Sequence, residues 1–307
     1  MANAAIFWDN LIDDATLTAS SEASTDLAVT NLQSFQLSEK WRTLTRQDEW
    51  IQADLGSTQF IPSSFLIRHN LTASATIRVR ISANSDMSSP VYDVTFYAWP
   101  SLEGYDEDIY DGSRYIGYDG APIVYNDDGT LNFQEFQLYT ALVHSDTAYA
   151  VTITTNDESY AGRYIRWDIT DQANPRNYIE LGWLGCGDVL QPTYDIDWNN
   201  SIAWVDPSQI FTNYGQNVWI NKRNKFRTAA ASWGFLSQAD ARTNFNLLGA
   251  IAGGSKPVVF MQYFENTLES YSTTLYCIIE TPINIRQVRK QVDHYSYAVD
   301  MSFRELL

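Results

Sequence analysis

The amino-acid sequence predicts a mainly β protein with one marked helix, and three observations lead to this fold class. Runs in which apolar and polar residues alternate recur along most of the chain, for example ATIRVRI at residues 75–81. Aromatic residues make up 14% of the chain, and aromatic residues favour strands. Residues 238–252, in contrast, carry an apolar pattern with a helical period.

The N-terminal part of the chain is predicted to consist of strands. Each strand alternates in polarity or is rich in β-branched and aromatic residues, and turn-forming residues bound most of them. In residues 163–169, Ile165, Trp167 and Ile169 fall on one face, which we expect to be buried. The predicted strands are residues 50–56, 65–68, 75–81, 91–97, 133–138, 148–154, 163–169 and 178–184.

Residues 193–307 are predicted to form a smaller β-sandwich or α+β domain with one helix. Ser237 can cap the helix, Asp240 is the acid of a capping box, and Gly253 and Gly254 end the helix. The apolar residues that this helix should bury are Ala241, Phe245, Leu248 and Ile251. The predicted strands around it are residues 217–220, 227–235, 257–263, 274–280 and 295–304.

Charge is distributed unevenly, which predicts two domains with a boundary near residue 192. The formal net charge is −17, and residues 1–192 hold 27 acidic and 10 basic residues. Residues 193–307 hold 10 of each. Because nucleic-acid phosphates require basic surface, this balance argues against nucleic-acid binding. No apolar run of about 18 residues and no leader at Met1 are present, so we expect neither membrane insertion nor secretion.

Residues with catalytic or redox chemistry are scarce. Cys186 and Cys277 are too few for a disulfide framework or a zinc site, and we expect both to be buried. His69, His144 and His294 have no metal-ligand spacing, and we expect surface or strand positions for them. Motifs such as a nucleophile elbow or a P-loop do not occur. The sequence therefore predicts no catalytic residues, no cofactor and no enzymatic activity.

Residues 101–130 interrupt the strand pattern as a long insertion rich in Gly, Asp and Tyr. Loops of this length in compact domains are commonly functional or disordered. Tyrosine offers a large ring and a hydroxyl group, so the insertion is suited to contact with a partner protein or a sugar. The alternative is a flap folded over its own domain. The candidate contact residues are Tyr105, Tyr110, Tyr115, Tyr118 and Tyr125.

The same insertion contains a weak candidate for a calcium site. Asp106, Asp108 and Asp111 cluster with Glu107, and Ca²⁺ prefers several such oxygen ligands. The EF-hand pattern fails because Gly117 stands where its bidentate Glu would be. Acidic residues of a solvated turn are the favoured interpretation, and no metal is predicted.

Residues 221–227, NKRNKFR, form a basic cluster, and Trp219 lies beside it. Lys and Arg at an exposed strand edge discourage unwanted strand pairing. They would equally suit contact with an acidic surface on a neighbouring subunit, where complementary charge sets the register. Both interpretations stay open. The candidate subunit-interface residues are Trp219, Lys222, Arg223, Lys225 and Arg227.

Several strand sequences resemble those of a discoidin, or galactose-binding-like, domain. They are WIQADLG at 50–56, FLIRHN at 65–70, IRVRIS at 77–82, RYIRWDITD at 163–171 and YIELGWL at 178–184. The resemblance covers about residues 15–190 and places this domain at residues 1–192. It implies an antiparallel jelly-roll sandwich that holds ligands in loops at one rim, with a host-surface glycan as a candidate ligand. Residues 101–130 have no counterpart in the common pattern of the family.

The C-terminal part resembles the ring-forming domain of phage distal tail proteins and related baseplate proteins. The similar stretches are NYGQNVWINKRNKFR at 213–227, LSQADA at 236–241, GGSKPVVF at 253–260 and MSFREL at 301–306. This resemblance covers about residues 205–307 and implies a tail-tip or baseplate protein of the virion, assembled in the host cytoplasm. The implied partners are other copies of the chain, in a ring that is hexameric in the family, and tail tube, hub and fibre proteins. The order of the domains is the reverse of that usual in distal tail proteins.

Two functions follow from these resemblances. The first is a non-enzymatic structural component of a phage tail that presents a carbohydrate-binding-like domain. The alternative is a free-standing glycan-binding, lectin-like protein. Self-association separates the two, because the first function requires a ring or association with other tail proteins.

Overall fold

The computed structural model describes residues 4–98 except 73, residues 139–143, residues 161–262 except 213–215 and 217, and residues 273–306 except 292–293. The described part is mainly β, as predicted, and its strands form antiparallel sheets with one longer helical segment. Two short 3₁₀ turns, Thr25–Leu27 and Val29–Gln33, precede the first long strands. No helix in this part is long and apolar enough to span a membrane.

The strands of the N-terminal part agree with the alternating patterns of the sequence. They are β1 (Ala5–Phe7), β2 (Thr16–Ala19), β3 (Trp41–Arg42), β4 (Glu49–Phe60), β5 (Ser63–Ile67), β6 (Thr76–Ser82), β7 (Tyr92–Tyr97), β8 (Tyr139–Val143), β9 (Ala161–Thr170), β10 (Glu180–Leu181), β11 (Trp183–Gly187) and β12 (Val189–Leu190). The predicted strands 133–138 and 148–154 lie outside the described residues.

The strands of the C-terminal part overlap all five predicted strands and add three more. They are β13 (Ser201–Val205), β14 (Gln209–Thr212), β15 (Val218–Asn221), β16 (Phe226–Leu236), β17 (Val258–Met261), β18 (Thr274–Ile279), β19 (Arg286–Gln291) and β20 (His294–Glu305).

The N-terminal part folds as a jelly-roll sandwich of two antiparallel sheets. Strands β2, β4, β9, β6 and β7 pair in this order, and β11, β5 and β8 form the facing sheet. Ile165, Trp167 and Ile169 are fully buried, as the alternation in β9 predicts. Burying each such side chain contributes about 1.5–3 kcal/mol. The Nε1 of Trp167 also donates a hydrogen bond across the core to the Oγ of Ser64, 3.1 Å away.

The C-terminal part is built on an eight-stranded antiparallel sheet. Strands β12, β1, β17, β18, β20, β16 and β13 pair in this order, and β19 pairs with β20. Strand β1 lies between β12 and β17, so Ile6 is opposite both Leu190 and Phe260. The sheet therefore contains strands from both sides of residue 192. The domain boundary at that residue stays a prediction.

The eight-stranded sheet is covered on both faces, because successive residues of a strand point to opposite sides. On one face, Cys277 packs in the same core as the helical segment. On the other face, Tyr276 packs with Phe65 and Trp183 of the jelly roll. The jelly roll and the C-terminal sheet thus share a buried hydrophobic core.

The helical segment begins and ends where the sequence predicts. The Oγ of Ser237 accepts a hydrogen bond from the N–H of Asp240 at 3.0 Å and donates one to its carboxylate at 2.8 Å. A π-helical part, Asp240–Phe245, leads into α1, Asn246–Ile251. Gly253 follows with a φ of +48°, in the left-handed region that favours glycine, and ends the helix.

The buried face of the helix differs from the prediction at one position. Ala241, Phe245 and Leu248 are buried as predicted, but Ile251 is 41% exposed and Ala252 is buried instead. At about 100° per residue, Ile251 lies at the border of the face defined by the other three residues, whereas Ala252 lies near its centre. A pattern of spacings of three and four residues does not distinguish Ile251 from Ala252 as the buried residue.

Candidate functional site

Three loops of the jelly roll meet at one end of the sandwich. Residues 43–48 precede β4, residues 68–75 precede β6, and residues 171–179 follow β9. The register places the start of β4, the start of β6 and the end of β9 at the same end of the five-stranded sheet. Strands β3 and β10 pair beside these loops. We call this end of the jelly roll the rim.

A compact polar cluster lies at the rim, on β3, β10 and the residues beside them. Glu180 is buried, and its Oε2 accepts hydrogen bonds from the Nε and Nη2 of Arg42 at 3.0 and 2.6 Å. Its Oε1 forms an ion pair with the Nζ of Lys40. The guanidinium of Arg42 lies 4.3 Å from the ring centroid of Tyr178. We call Lys40, Arg42, Tyr178 and Glu180 the rim cluster.

The carboxyl group of Glu180 is held in its ionised form. Burial alone would raise its pKa, but the hydrogen bonds and charges of Lys40 and Arg42 outweigh burial and lower the pKa below its ordinary value. Two cations therefore share one carboxylate, which leaves the cluster with a net positive charge.

The backbone of the rim cluster is fixed by side chains from the neighbouring loops. The Oδ1 of Asn70 accepts a hydrogen bond from the N–H of Glu180 at 2.8 Å, and its Nδ2 donates to the carbonyl of Tyr178 at 2.9 Å. The N–H of Ile179 donates to the Oγ1 of Thr43 at 2.8 Å. These bonds join the three loops, so the side chains of the cluster are held in place before any ligand binds.

A second network supports the rim from behind. The buried carboxylate of Asp171 accepts hydrogen bonds from the N–H and Oγ1 of Thr72 at 2.8 and 2.5 Å, and from the Nδ2 of Asn174 at 3.1 Å. Arg46 donates from its Nη1 to the carbonyl of Asn174 at 2.6 Å. The loops 43–48, 68–75 and 171–179 are therefore tied together a second time.

Basic residues are concentrated at the rim of an otherwise acidic half. Five of the ten Lys and Arg of residues 1–192 lie there: Lys40, Arg42, Arg46, Arg68 and Arg176. On the outer face of the five-stranded sheet, the arginines pair with aspartates, as Arg78–Asp93, Arg80–Asp168, Arg166–Asp168 and Arg163–Asp54. Within the described residues, no ion pair joins Arg46, Arg68 or Arg176 to a carboxylate. The same segments of the rim hold three acidic residues, Asp48, Asp171 and Glu180, so basic residues outnumber acidic ones there.

The groups of the rim cluster suit a ligand with several hydroxyl groups. A hydroxyl group can donate to a carboxylate and accept from guanidinium and ammonium N–H groups, and charge-assisted hydrogen bonds of this kind are strong. The ring of Tyr178 offers an apolar face for the C–H surface of such a ligand.

His69 corrects one expectation from the sequence, because it is buried at the rim rather than placed at the surface. Burial lowers the pKa of its imidazole to about 3, so the ring is neutral at physiological pH. Its Nδ1 accepts a hydrogen bond from the N–H of Leu71 at 3.3 Å. His144 lies outside the described residues, and His294 starts β20. Both cysteines are buried as predicted, and burial raises the pKa of both thiols.

The two described strands on either side of the insertion have their facing ends at the rim. Strand β7 ends at Tyr97, opposite Thr76, and β8 begins at Tyr139, opposite Ile67. Both positions lie at the rim end of their strands. The candidates Tyr105, Tyr110, Tyr115, Tyr118, Tyr125, Asp106, Asp108 and Asp111 lie outside the described residues. In the part of the chain that is described, no group of three or more His, Cys, Asp or Glu side chains is arranged to hold a metal.

The predicted subunit-interface residues divide into two groups. Trp219, Lys222, Arg223 and Lys225 are exposed, and Lys225 makes a long ion pair of 3.7 Å with Asp206. Arg227 is different, because its Nη2 lies 2.6 Å from the carboxylate of Glu305 within the same chain. The side chains of this pair are 11% and 3% exposed, so the guanidinium of Arg227 is engaged within its own domain. The role of all five residues as a subunit interface stays a prediction.

The rim cluster was missed by the search for motifs, although one signal was present. Glu180 interrupts the apolar run YIELGWL, and a charged residue in such a run indicates a buried, paired group. Its partners, Lys40 and Arg42, lie far away in the sequence, so the run alone does not reveal them.

No family model and no curated protein matches this chain. Among solved structures, it is similar to a chitosan-binding module of a chitosanase/glucanase from Paenibacillus sp. IK-5, with 16% identity, 59% of this chain and 99% of the other covered, and a TM-score of 0.34. It is also similar to a mutant of the lectin binding domain of lectinolysin complexed with Lewis b. The identity is 13%, the match covers 58% of this chain and 94% of the other, and the TM-score is 0.34. A third similar structure is a Streptococcus pneumoniae fucose-binding module, with 11% identity, 59% of this chain and 98% of the other covered, and a TM-score of 0.33. At these TM-scores the likeness carries no argument, and the jelly-roll assignment rests on the strand pairing described above.

Proposed function

We propose that the protein is a non-catalytic carbohydrate-binding protein whose saccharide site is the rim cluster. The observation that carries this proposal is the buried carboxylate of Glu180, which holds Lys40 and Arg42 beside the ring of Tyr178. Burying charged groups is costly, and buried ion pairs are weak devices for stability. A charged cluster braced by three loops therefore supports a role in recognition, where a few fixed polar groups give orientation and specificity.

A glycan array tests this proposal with the full chain and three variants. Glu180→Gln and Arg42→Ala remove charged groups of the rim cluster, whereas the control Arg78→Ala removes an exposed pair on the outer face of the sheet. We expect the wild type and the control to bind the same saccharides. Each rim variant should bind at least about tenfold more weakly, because a hydrogen bond to a charged group is worth about 1.5–3 kcal/mol.

Two results would overturn the proposal. The first is a wild-type chain that binds no saccharide on the array. The second is binding by Glu180→Gln and Arg42→Ala that equals the binding of the control while all variants remain folded by circular dichroism.

A second candidate function, a structural subunit of a phage tail tip or baseplate, is favoured by a different surface. The hairpin of β14 and β15 exposes large apolar side chains, namely Ile210, Phe211, Val218, Trp219 and Ile220. Exposed apolar surface of this kind is typical of protein–protein contacts. In this function the C-terminal part assembles with other tail proteins and the jelly roll is presented outward. Antibody labelling of purified phage particles tests it: label at the tail tip supports the function, and particles free of the chain contradict it.

A further inference from the structure

Strands β14 and β15 form a two-stranded ribbon outside the eight-stranded sheet, and we call residues 209–212 and 218–221 the arm. Phe211 lies opposite Trp219, and Ile210 lies opposite Ile220. Because successive residues of a strand point to opposite sides, each face of the arm carries one of these pairs. The four side chains are between 56% and 68% exposed. Both faces of the arm are therefore apolar and open.

An arm with this surface is suited to docking on another molecule. An isolated two-stranded ribbon is marginally stable in water and needs further packing. Burying one large apolar side chain contributes about 1.5–3 kcal/mol, so covering several of them gives a substantial driving force for association.

The same chain contains a groove with an apolar lining. The groove has a volume of about 510 Å³ and lies between α1 and residues 279–285. Its apolar lining includes Phe245, Ile279, Ile283 and Ile285. On the helix side it is lined by Gly249, Gly253 and Gly254, and a Cβ added at Gly249 would lie 3.6 Å from Ile283 across the groove.

Charge is also complementary between the arm and the groove. Lys222 and Arg223 directly follow the arm and are exposed. Glu280 lines the groove with a side chain that is 42% exposed, and its ion pair with Arg304 is long, at 3.9 Å. We propose that the arm of one copy docks into the groove of a second copy of this chain, with Lys222 and Arg223 facing Glu280.

In the proposed contact the arm of each copy enters the groove of the next copy, so that two copies do not exchange arms and the contact is heterologous. The arm side chains are exposed in the described structure, so the arm does not fill the groove of its own chain. A heterologous contact repeats head to tail and produces a ring if the rotation closes, or a filament if it does not. This inference rests on the second candidate function, assembly, and does not depend on the saccharide site.

Complementary variants test the contact with light scattering after size-exclusion chromatography. The arm variant Phe211→Ser/Trp219→Ser keeps an intact groove, and the groove variant Ile283→Glu keeps an intact arm. We expect the wild type to form assemblies larger than a dimer and each variant alone to be monomeric. An equimolar mixture of the two variants should give a one-to-one dimer, because it contains one intact arm and one intact groove per pair.

A control variant and three contrary results complete the test of the contact. Trp198→Ser changes a tryptophan that is 99% exposed and outside the arm, and it should assemble like the wild type. A monomeric wild type, assembly by either variant alone, or a mixture that stays monomeric would each overturn the inference. A monomeric wild type that binds lipid vesicles through the arm would assign the arm to membranes instead. Saccharide binding measured on the same variants should stay unchanged, which separates this inference from the proposed saccharide site.

Discussion

Trp183 of β11 and Tyr276 of β18 pack against each other, with ring centroids 4.8 Å apart and ring planes tilted by 44°. Trp183 belongs to the jelly roll, whereas Tyr276 belongs to the eight-stranded sheet. The hydroxyl group of Tyr276 donates a hydrogen bond to the carbonyl of Phe35, 3.3 Å away. Burial raises the pKa of this hydroxyl group, so it stays protonated and able to donate. We therefore expect the two parts of the chain to depend on each other for stability.

Trp183→Ala should destabilise the whole chain. Truncation of a buried tryptophan typically costs about 3–5 kcal/mol, because it removes apolar contacts and leaves a cavity. Urea unfolding followed by fluorescence and by far-ultraviolet circular dichroism should show one common transition, shifted to lower urea. The matched control is Trp198→Ala, which should change stability by no more than about 0.5 kcal/mol because this side chain is exposed. Separate transitions of the two parts, with only one shifted, would contradict the shared core.

Glu180→Gln should remove a contribution to stability that depends on pH. Lys40 and Arg42 lower the pKa of Glu180 in the folded state, so its contribution is present above the ordinary value of about 4.5 and is lost as the pH falls through the lower folded value. Near neutral pH, we expect the free energy of unfolding of the wild type to exceed that of the variant by about 1.5–3 kcal/mol. This difference should shrink as the pH is lowered below the ordinary value. Urea unfolding across this pH range measures it, and a constant difference at every pH would argue against the ion pairs.

Arg227→Ala should cost far more stability than Lys225→Ala. Arg227 forms a buried ion pair with Glu305, and removing one partner of such a pair costs about 3–5 kcal/mol. Lys225 forms an exposed pair with Asp206, and such pairs are worth about 0–1 kcal/mol. Thermal unfolding of the two variants compares them directly. Equal effects would show that the pair of Arg227 and Glu305 is not buried in solution. Because Arg227→Ala is expected to destabilise the fold, the basic cluster is better tested as an interface with variants of Lys222, Arg223 and Lys225.

Gly187→Ala should strain the passage from β11 to β12. Gly187 has a φ of +142°, and an added Cβ would lie 2.8 Å from the carbonyl oxygen of Asp9. A strained backbone of this kind costs about 1–3 kcal/mol, and the backbone clash adds to it. Gly56→Ala is the control, since Gly56 has a φ of +75° but nothing within 4 Å of an added Cβ. The midpoint temperature of thermal unfolding should be lower for Gly187→Ala than for Gly56→Ala. The reverse order would contradict the close contact with Asp9.

Much of the fold could be predicted from the sequence because alternation is a local property. The alternation of Ile165, Trp167 and Ile169 with polar residues indicates a buried face within seven residues. Ser237 and Gly253 likewise mark the two ends of the helix from neighbouring residues alone. The position of β1 could not be predicted. It has three residues, too few for a period, and its partners β12 and β17 lie far along the chain.

The candidate site was hidden for a related reason. Arg42 and Glu180 lie 138 residues apart in the sequence, and only the pairing of β3 with β10 brings them together. The sequence predicted a strand at residues 217–220, but it did not show that Val218, Trp219 and Ile220 are all exposed. A polarity pattern identifies a strand but does not show which of its faces another part of the chain will cover.

The central claim is that a saccharide binds at the rim cluster, and hydrogen–deuterium exchange of the full chain with a saccharide selected on the array tests it most directly. We expect slower exchange confined to residues 40–48, 68–75 and 171–181, with no change in the Glu180→Gln variant. Slower exchange elsewhere, such as in residues 209–221 alone, or equal protection in Glu180→Gln would contradict it.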